Sequence, residues 1–204
     1  MLQLIKVKPF EVDLPEDCLL YQKGKLDLKT GKLEKIKFEM PIPLHSALFQ
    51  LNRKLYVCGG FTLIESKLES LSTHFTLDFE GKSEVLQSME FKRGYLSLSG
   101  VIPQLIAIGG MDKEYGVYTS NVLNVCEMYS ITLNKWTRLP GLNLARCLPG
   151  TILLESKKAF CFCGRQEGYT NLNSIETLQT DSGREWAILA LTDRVAPGFY
   201  LACA

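Results

Sequence analysis

Leu105-Ile106-Ala107-Ile108-Gly109-Gly110 is one of three versions of the same phrase in this chain. Leu55-Tyr56-Val57-Cys58-Gly59-Gly60 precedes it and Phe160-Cys161-Phe162-Cys163-Gly164-Arg165 follows it, at steps of 50 and 55 residues. Self-similarity at a period of this size is the mark of a repeat architecture. A second landmark keeps the same period: Cys126-Glu127-Met128-Tyr129 followed by Asn134-Lys135-Trp136 matches Ile175-Glu176-Thr177-Leu178 followed by Gly183-Arg184-Glu185-Trp186, and the two tryptophans are 50 apart. A third is Arg146-Cys147-Leu148-Pro149-Gly150, which returns as Arg194-Val195-Ala196-Pro197-Gly198, so that a new unit starts at Arg194. Weaker copies, Leu26-Asp27-Leu28-Lys29-Thr30-Gly31 and Leu77-Asp78-Phe79-Glu80-Gly81-Lys82, each read as a strand running into a polar turn.

Within a unit, four short apolar runs are separated by turn residues, the signature of an antiparallel meander. In the third unit they fall at 148–154, 159–163, 174–178 and 185–189. The second run is continuously apolar, which suits a strand covered on both faces. Four-stranded sheets repeated around an axis are β-propeller blades. The chain therefore reads as all-β. Residues 1–17 are an N-terminal strand or linker and 18–44 a partial unit carrying the last two strands of a blade. Units follow at about 45–92, 93–145 and 146–193, with the start of another at 194–204. Either the chain belongs to a larger ring, or it closes with about four blades by pairing 199–203 with a strand near 2–7.

The stretch from Arg93 to Pro140 resembles the kelch repeat, carrying Gly109-Gly110, Glu127, Tyr129, Trp136 and Leu139-Pro140 in the order of that motif. The flanking copies depart from it: Arg165 stands for the second glycine of the third unit, and Leu33 and Val85 lie near the tryptophan position. The resemblance implies a kelch-type propeller that binds a protein partner through loops at one end, acting as a scaffold rather than as an enzyme. It implies no cofactor.

Composition agrees with a folded, nearly neutral domain. At 204 residues, with 46% hydrophobic and 22% charged residues and a net charge of +1, nothing suggests nucleic acid as a partner. The first residues alternate apolar and charged side chains, unlike a secretory leader, and no apolar stretch is long enough to span a membrane as a helix. The seven cysteines are scattered through apolar runs, as reduced core thiols are, and there is no Asn-x-Ser/Thr acceptor; both favour the cytoplasm.

Several residues invite a chemical reading. Kelch-like propellers include a copper radical oxidase, but the two histidines, His45 and His74, do not form a ligand pattern. Asp181-Ser182-Gly183-Arg184-Glu185-Trp186 fits part of the Asp box of sialidase-like propellers, which is a turn rather than a catalytic device. Cys161 and Cys163, two apart on one predicted strand, are expected to face the same way as small core hydrophobes. Arg93, Arg146 and Arg194, with His45 in the comparable place, recur before the first strand of successive units and are expected to bridge blades. Enzyme fragments of the sialidase-like or oxidase-like kind, and a cytoskeletal cross-linker, remain the alternatives to an interaction module. The partner-binding residues are placed on the long second-to-third loops, at 61–73, 111–121 and 165–173: Tyr115, Tyr118, Arg165, Tyr169 and Asn171.

Overall fold

The unbroken apolar runs become second strands whose side chains point alternately to the blade before and the blade after. The computed structural model describes residues 18–21, 24–27, 29–65, 67–113 and 121–191. The N-terminal 1–17 and the pairing of 199–203 with 2–7 that a four-bladed closure would need lie outside them, as does Arg194.

Four sheets follow one another, all antiparallel. The first holds β1 (Cys18–Tyr21), β2 (Gly24–Asp27) and β3 (Leu33–Lys35), three described strands where the repeat pattern predicts two. The second blade holds β4 (Ala47–Leu51), β5 (Lys54–Cys58), β8 (His74–Leu77) and β9 (Ser83–Val85). Between its second and third strands a separate hairpin is inserted, β6 (Phe61–Ile64) and β7 (Lys67–Ser70). The third blade runs β10 (Ser97–Val101), β11 (Gln104–Ile108), β12 (Cys126–Ser130) and β13 (Lys135–Leu139). The fourth runs β14 (Gly150–Leu153), β15 (Lys158–Phe162), β16 (Ser174–Gln179) and β17 (Ala187–Leu191), with a bulge at Ile175/Glu176.

The first strand β10 packs against both β4 and β14, which places the first strands innermost. Ser97 and Thr151 share a hydroxyl hydrogen bond of 2.8 Å across two of them, and Ser99 Oγ accepts from the Leu153 N–H at 3.0 Å.

The core lies in the seams between blades. Leu105 and Ala107 of β11 face backwards into a cluster with Tyr56, Cys58, Leu98 and Trp136, while Ile106 and Ile108 face forwards into one with Cys126, Ala159, Cys161, Leu178 and Trp186. An earlier seam joins Val57, Phe75 and Leu77 to Ile36, Phe38, Met40 and Ile42 of the linker at 36–46. In β15 the burial alternates instead, leaving Phe160 and Phe162 half-buried and stacked at 6.1 Å. They occupy the forward-facing places that Ile106 and Ile108 hold in the blade before.

Each linker also grips the start of the next blade's fourth strand. Gln87 takes the Trp136 backbone N–H on its side-chain oxygen at 2.9 Å and the indole N–H on its carbonyl at 2.8 Å. Trp186 donates in the same way to the Pro140 carbonyl at 2.9 Å. In the second blade Ser83 stands in the tryptophan's place and its N–H is held by Glu39 at 2.9 Å, while Val85, the residue expected near that place, is exposed.

Candidate functional site

The long loops are positioned by a left-handed turn that ends every second strand. Gly59 and Gly60 adopt φ of 62° and 100°, Gly109 and Gly110 65° and 110°, and Cys163 and Gly164 51° and 96°. The first residue of each pair donates its N–H to the start of the third strand, at Thr73, Val125 and Ser174 respectively. The second accepts from Leu71, Leu123 and Leu172. These bonds correct the register read from sequence. Gly164 is the second glycine of its doublet, Cys163 takes the place of the first, and Arg165 corresponds to Phe61 and Met111. The isolated bridges Leu44↔Phe61, Gly94↔Met111 and Cys147↔Arg165 confirm the alignment.

The blade-to-blade linkers meet this turn at the same end. The Arg93 carbonyl accepts the Gly60 N–H at 2.9 Å, and the Arg146 carbonyl accepts the Gly110 N–H at 2.9 Å. Each arginine then reaches forwards into its own blade. Arg93, fully buried, donates to the carbonyls of Gly109 and Val125 at 3.2 and 2.8 Å and pairs with Glu127 at 2.8 Å. Arg146 donates to Cys163, to the carbonyl and hydroxyl of Ser174, and to Glu176. The carboxylates also accept linker N–H groups: Glu90 and Asn143 donate to the oxygens of Glu127 and Glu176 that the arginines leave open, and Leu144 donates to the Glu176 oxygen that Arg146 holds. Burial pulls the Arg93 guanidinium below its ordinary range, and Glu127 opposes that shift. A guanidinium forked between fixed acceptors and closed from solvent is a clamp between blades, with no face left for a ligand. The two glutamates were landmarks in the sequence, but their pairing with the arginines was not read there; the matched recurrence of Arg93/Glu127 and Arg146/Glu176 was the available signal.

His45 is not the counterpart of these arginines. It aligns with Tyr95 and Leu148, two residues further on, and all three have φ near 54°. Tyr95 donates its N–H to the His45 carbonyl at 2.9 Å and Leu148 donates to the Tyr95 carbonyl at 2.8 Å, a backbone chain crossing three units. The His45 ring stacks on Tyr95 at 4.2 Å.

The face so formed carries part of the residue set expected from sequence. Arg165 is half-buried and forms bridges to both Cys147 and Asn171, so the bases of two loops are joined there. Asn171 is exposed. Tyr169 closes a short 3-10 turn (Glu167–Tyr169) containing Gly168 at φ 68°. Tyr115 and Tyr118 lie outside the described residues, but the base of their loop is pinned by Asn121, whose N–H and side-chain amide both donate to Asp112 at 2.9 Å. The 61–73 segment, expected to be a loop, is the β6–β7 hairpin, and it holds Leu63 and Ile64 out in solvent.

The residues weighed for chemistry are elsewhere. His74 is buried among Tyr56, Tyr129 and Trp136, with Nδ1 3.3 Å from the Gln87 carbonyl and Nε2 without a partner, and burial holds it down at about 4. It shares no ring contact with His45. Among the described residues no three His, Cys, Asp or Glu side chains gather as metal ligands. Cys161 is buried between blades with its thiol pushed up by desolvation, whereas Cys163 leaves the strand in a left-handed turn; the shared facing expected of the two is lost because β15 ends at Phe162. Asp181 is an exposed turn residue accepting from Gln179 and Ser182.

A family model described as the kelch motif matches residues 103–143. No curated protein sequence matches the chain. A solved structure, that of YjhT, matches with a TM-score of 0.58 at 14% identity, covering 77% of this chain and 54% of its own. The chain thus spans about half the length of that propeller. No helix among the described residues is long and apolar enough to cross a membrane. With one kelch motif lying on β11, β12 and β13 and a four-stranded antiparallel sheet of the same order on either side of it, the chain folds as consecutive blades of a β-propeller.

Proposed function

We propose that the chain is a kelch-type interaction module that binds a protein partner, in the cytoplasm, through the face built by the second-to-third connections and the interblade linkers. One observation carries this reading: both sets of connections are hydrogen-bonded into a single framework through the Gly60–Arg93 and Gly110–Arg146 contacts, so that long, side-chain-rich segments stand on a rigid base. Binding residues concentrate on such segments because the scaffold removes much of the ordering cost. At the opposite end the connections are tight, with Asn52 and Arg53 forming a two-residue turn. Tyr115, Tyr118, Arg165, Tyr169 and Asn171 are the contact residues proposed, tyrosine and arginine supplying large contact area and forked donors.

The test is affinity capture from a cell lysate with the wild-type chain and with a combined Tyr118, Arg165 and Tyr169 to alanine variant. The variant is expected to keep its melting temperature and lose the partner. Undiminished capture by the folded variant would move the binding face elsewhere. Turnover of a fluorogenic sialoside, or stoichiometric copper, would replace an interaction module with an enzyme.

A further inference from the structure

We propose that β7 is a self-complementary edge through which two copies of this chain pair, an interface separate from the partner-binding residues above. Among the described residues the β6–β7 hairpin is tied to its surroundings along β6, where Phe61 exchanges both backbone hydrogen bonds with Leu44 at 2.7 and 3.0 Å, and at its base, where the Leu71 carbonyl accepts the Arg93 N–H at 2.9 Å. The outer edge of β7 pairs with no strand among the described residues.

The hairpin register shows which groups that edge offers. Ile64 faces Lys67, Leu63 faces Leu68, Thr62 faces Glu69 and Phe61 faces Ser70, and the ladder continues with Leu71 donating to Gly60 at 2.8 Å. Bonding alternates along an antiparallel strand, so Lys67, Glu69 and Leu71 bond inwards. Leu68 and Ser70 therefore turn their N–H and C=O groups to the open edge.

A second β7 laid antiparallel with Leu68 opposite Leu68 exchanges both of those bonds about a two-fold axis. That register sets Lys67 of each copy opposite Glu69 of the other. Both side chains are exposed, and neither has an ion pair within the chain among the described residues. Centring the pair on Ser70 instead sets Glu69 against Leu71 and loses both ion pairs. On the other face, Leu63, 66% exposed, and the half-buried Leu68 extend into a four-leucine row across the joined hairpins. An edge lysine ordinarily discourages strand pairing. Here it meets a carboxylate, so the same charge selects one register.

Sedimentation equilibrium of the 204-residue chain over roughly 10 to 1,000 μM, the range of weak interfaces, is expected to show a monomer–dimer equilibrium. Lys67→Glu or Glu69→Lys alone, each setting like charges opposite one another, is expected to raise the dimer dissociation constant about tenfold. The swap carrying both changes restores it. Leu68→Pro removes the central donor while sparing the bonds to β6 and abolishes the dimer, with the far-ultraviolet circular dichroism unchanged. A monomer throughout the range, or a dimer that the single charge reversals leave untouched, overturns the proposal. So does a swap that fails to rescue.

Discussion

The carbonyl oxygen of Arg93 lies 2.2 Å from where a Cβ on Gly59 would stand, and that of Arg146 bears the same relation, at the same distance, to Gly109. With φ near 60° at both glycines, a side chain is opposed by its own backbone and by the next blade at once.

Gly59→Ala and Gly109→Ala are each expected to cost about 3 kcal/mol or more, combining left-handed strain with separation of a seam. Cys163, already left-handed at the equivalent place, provides the contrast. Cys163→Gly is expected to stay within about 1 kcal/mol of wild type. Urea denaturation of the three variants checks both values.

Removing one partner of a buried, hydrogen-bonded ion pair leaves the other charge stranded. Glu127→Ala and Arg93→Ala are each expected to destabilise by about 3 to 5 kcal/mol, with the double variant losing less than the sum. Because Glu127 also anchors the Glu90 N–H, replacement by Gln is expected to be milder than by Ala. Thermal melts of the four chains form the cycle.

Trp136→Ala is expected to lose about 3 to 5 kcal/mol from the emptied seam. Trp136→Phe keeps most of the packing and forfeits the indole bond to the Gln87 carbonyl, worth about 1 kcal/mol. Intrinsic fluorescence followed through denaturation reports both. Loss of partner capture in either variant with an unchanged melting temperature would contradict this structural role.

His74 makes stability depend on acidity. Its folded value of about 4 lies below the ordinary 6.5, so the unfolded chain binds more protons between the two. The contribution is complete above pH 6.5 and falls away as the pH drops towards 4. A His74→Phe variant, keeping the aromatic contact with Tyr129 and Trp136, is expected to show a flatter stability profile across that window in denaturation at stepped pH.

How far the sequence reaches can be judged from individual residues. The second strands and Trp136 are legible because burial on two faces demands unbroken apolar runs and a large ring at a fixed period. In the fourth blade the sequence pattern sets the doublet one residue late, because Cys163 holds a side chain at the left-handed position that glycine fills in the other blades. The β6–β7 hairpin carries no turn signature in the sequence because Glu65, at φ 47°, takes a left-handed place usually given to Asn or Gly. Of the binding face, sequence could indicate which loops are long. It could not show that Arg165 and Asn171 bridge one another, because that depends on a strand pairing between segments with no shared pattern.

The arginine clamp also bears on how such a chain can be lengthened. The units at 45–92 and 93–145 each present a glycine turn to their successor, and Arg93 and Arg146 meet those turns with the same backbone contact. Copies of 93–145 joined in tandem would set Gly110 against an Arg93 carbonyl as it now meets that of Arg146. The backbone half of the joint is thus carried within the unit, while the seam side chains, Gln87 against Trp136 at one junction and Pro140 against Trp186 at the next, would have to adapt.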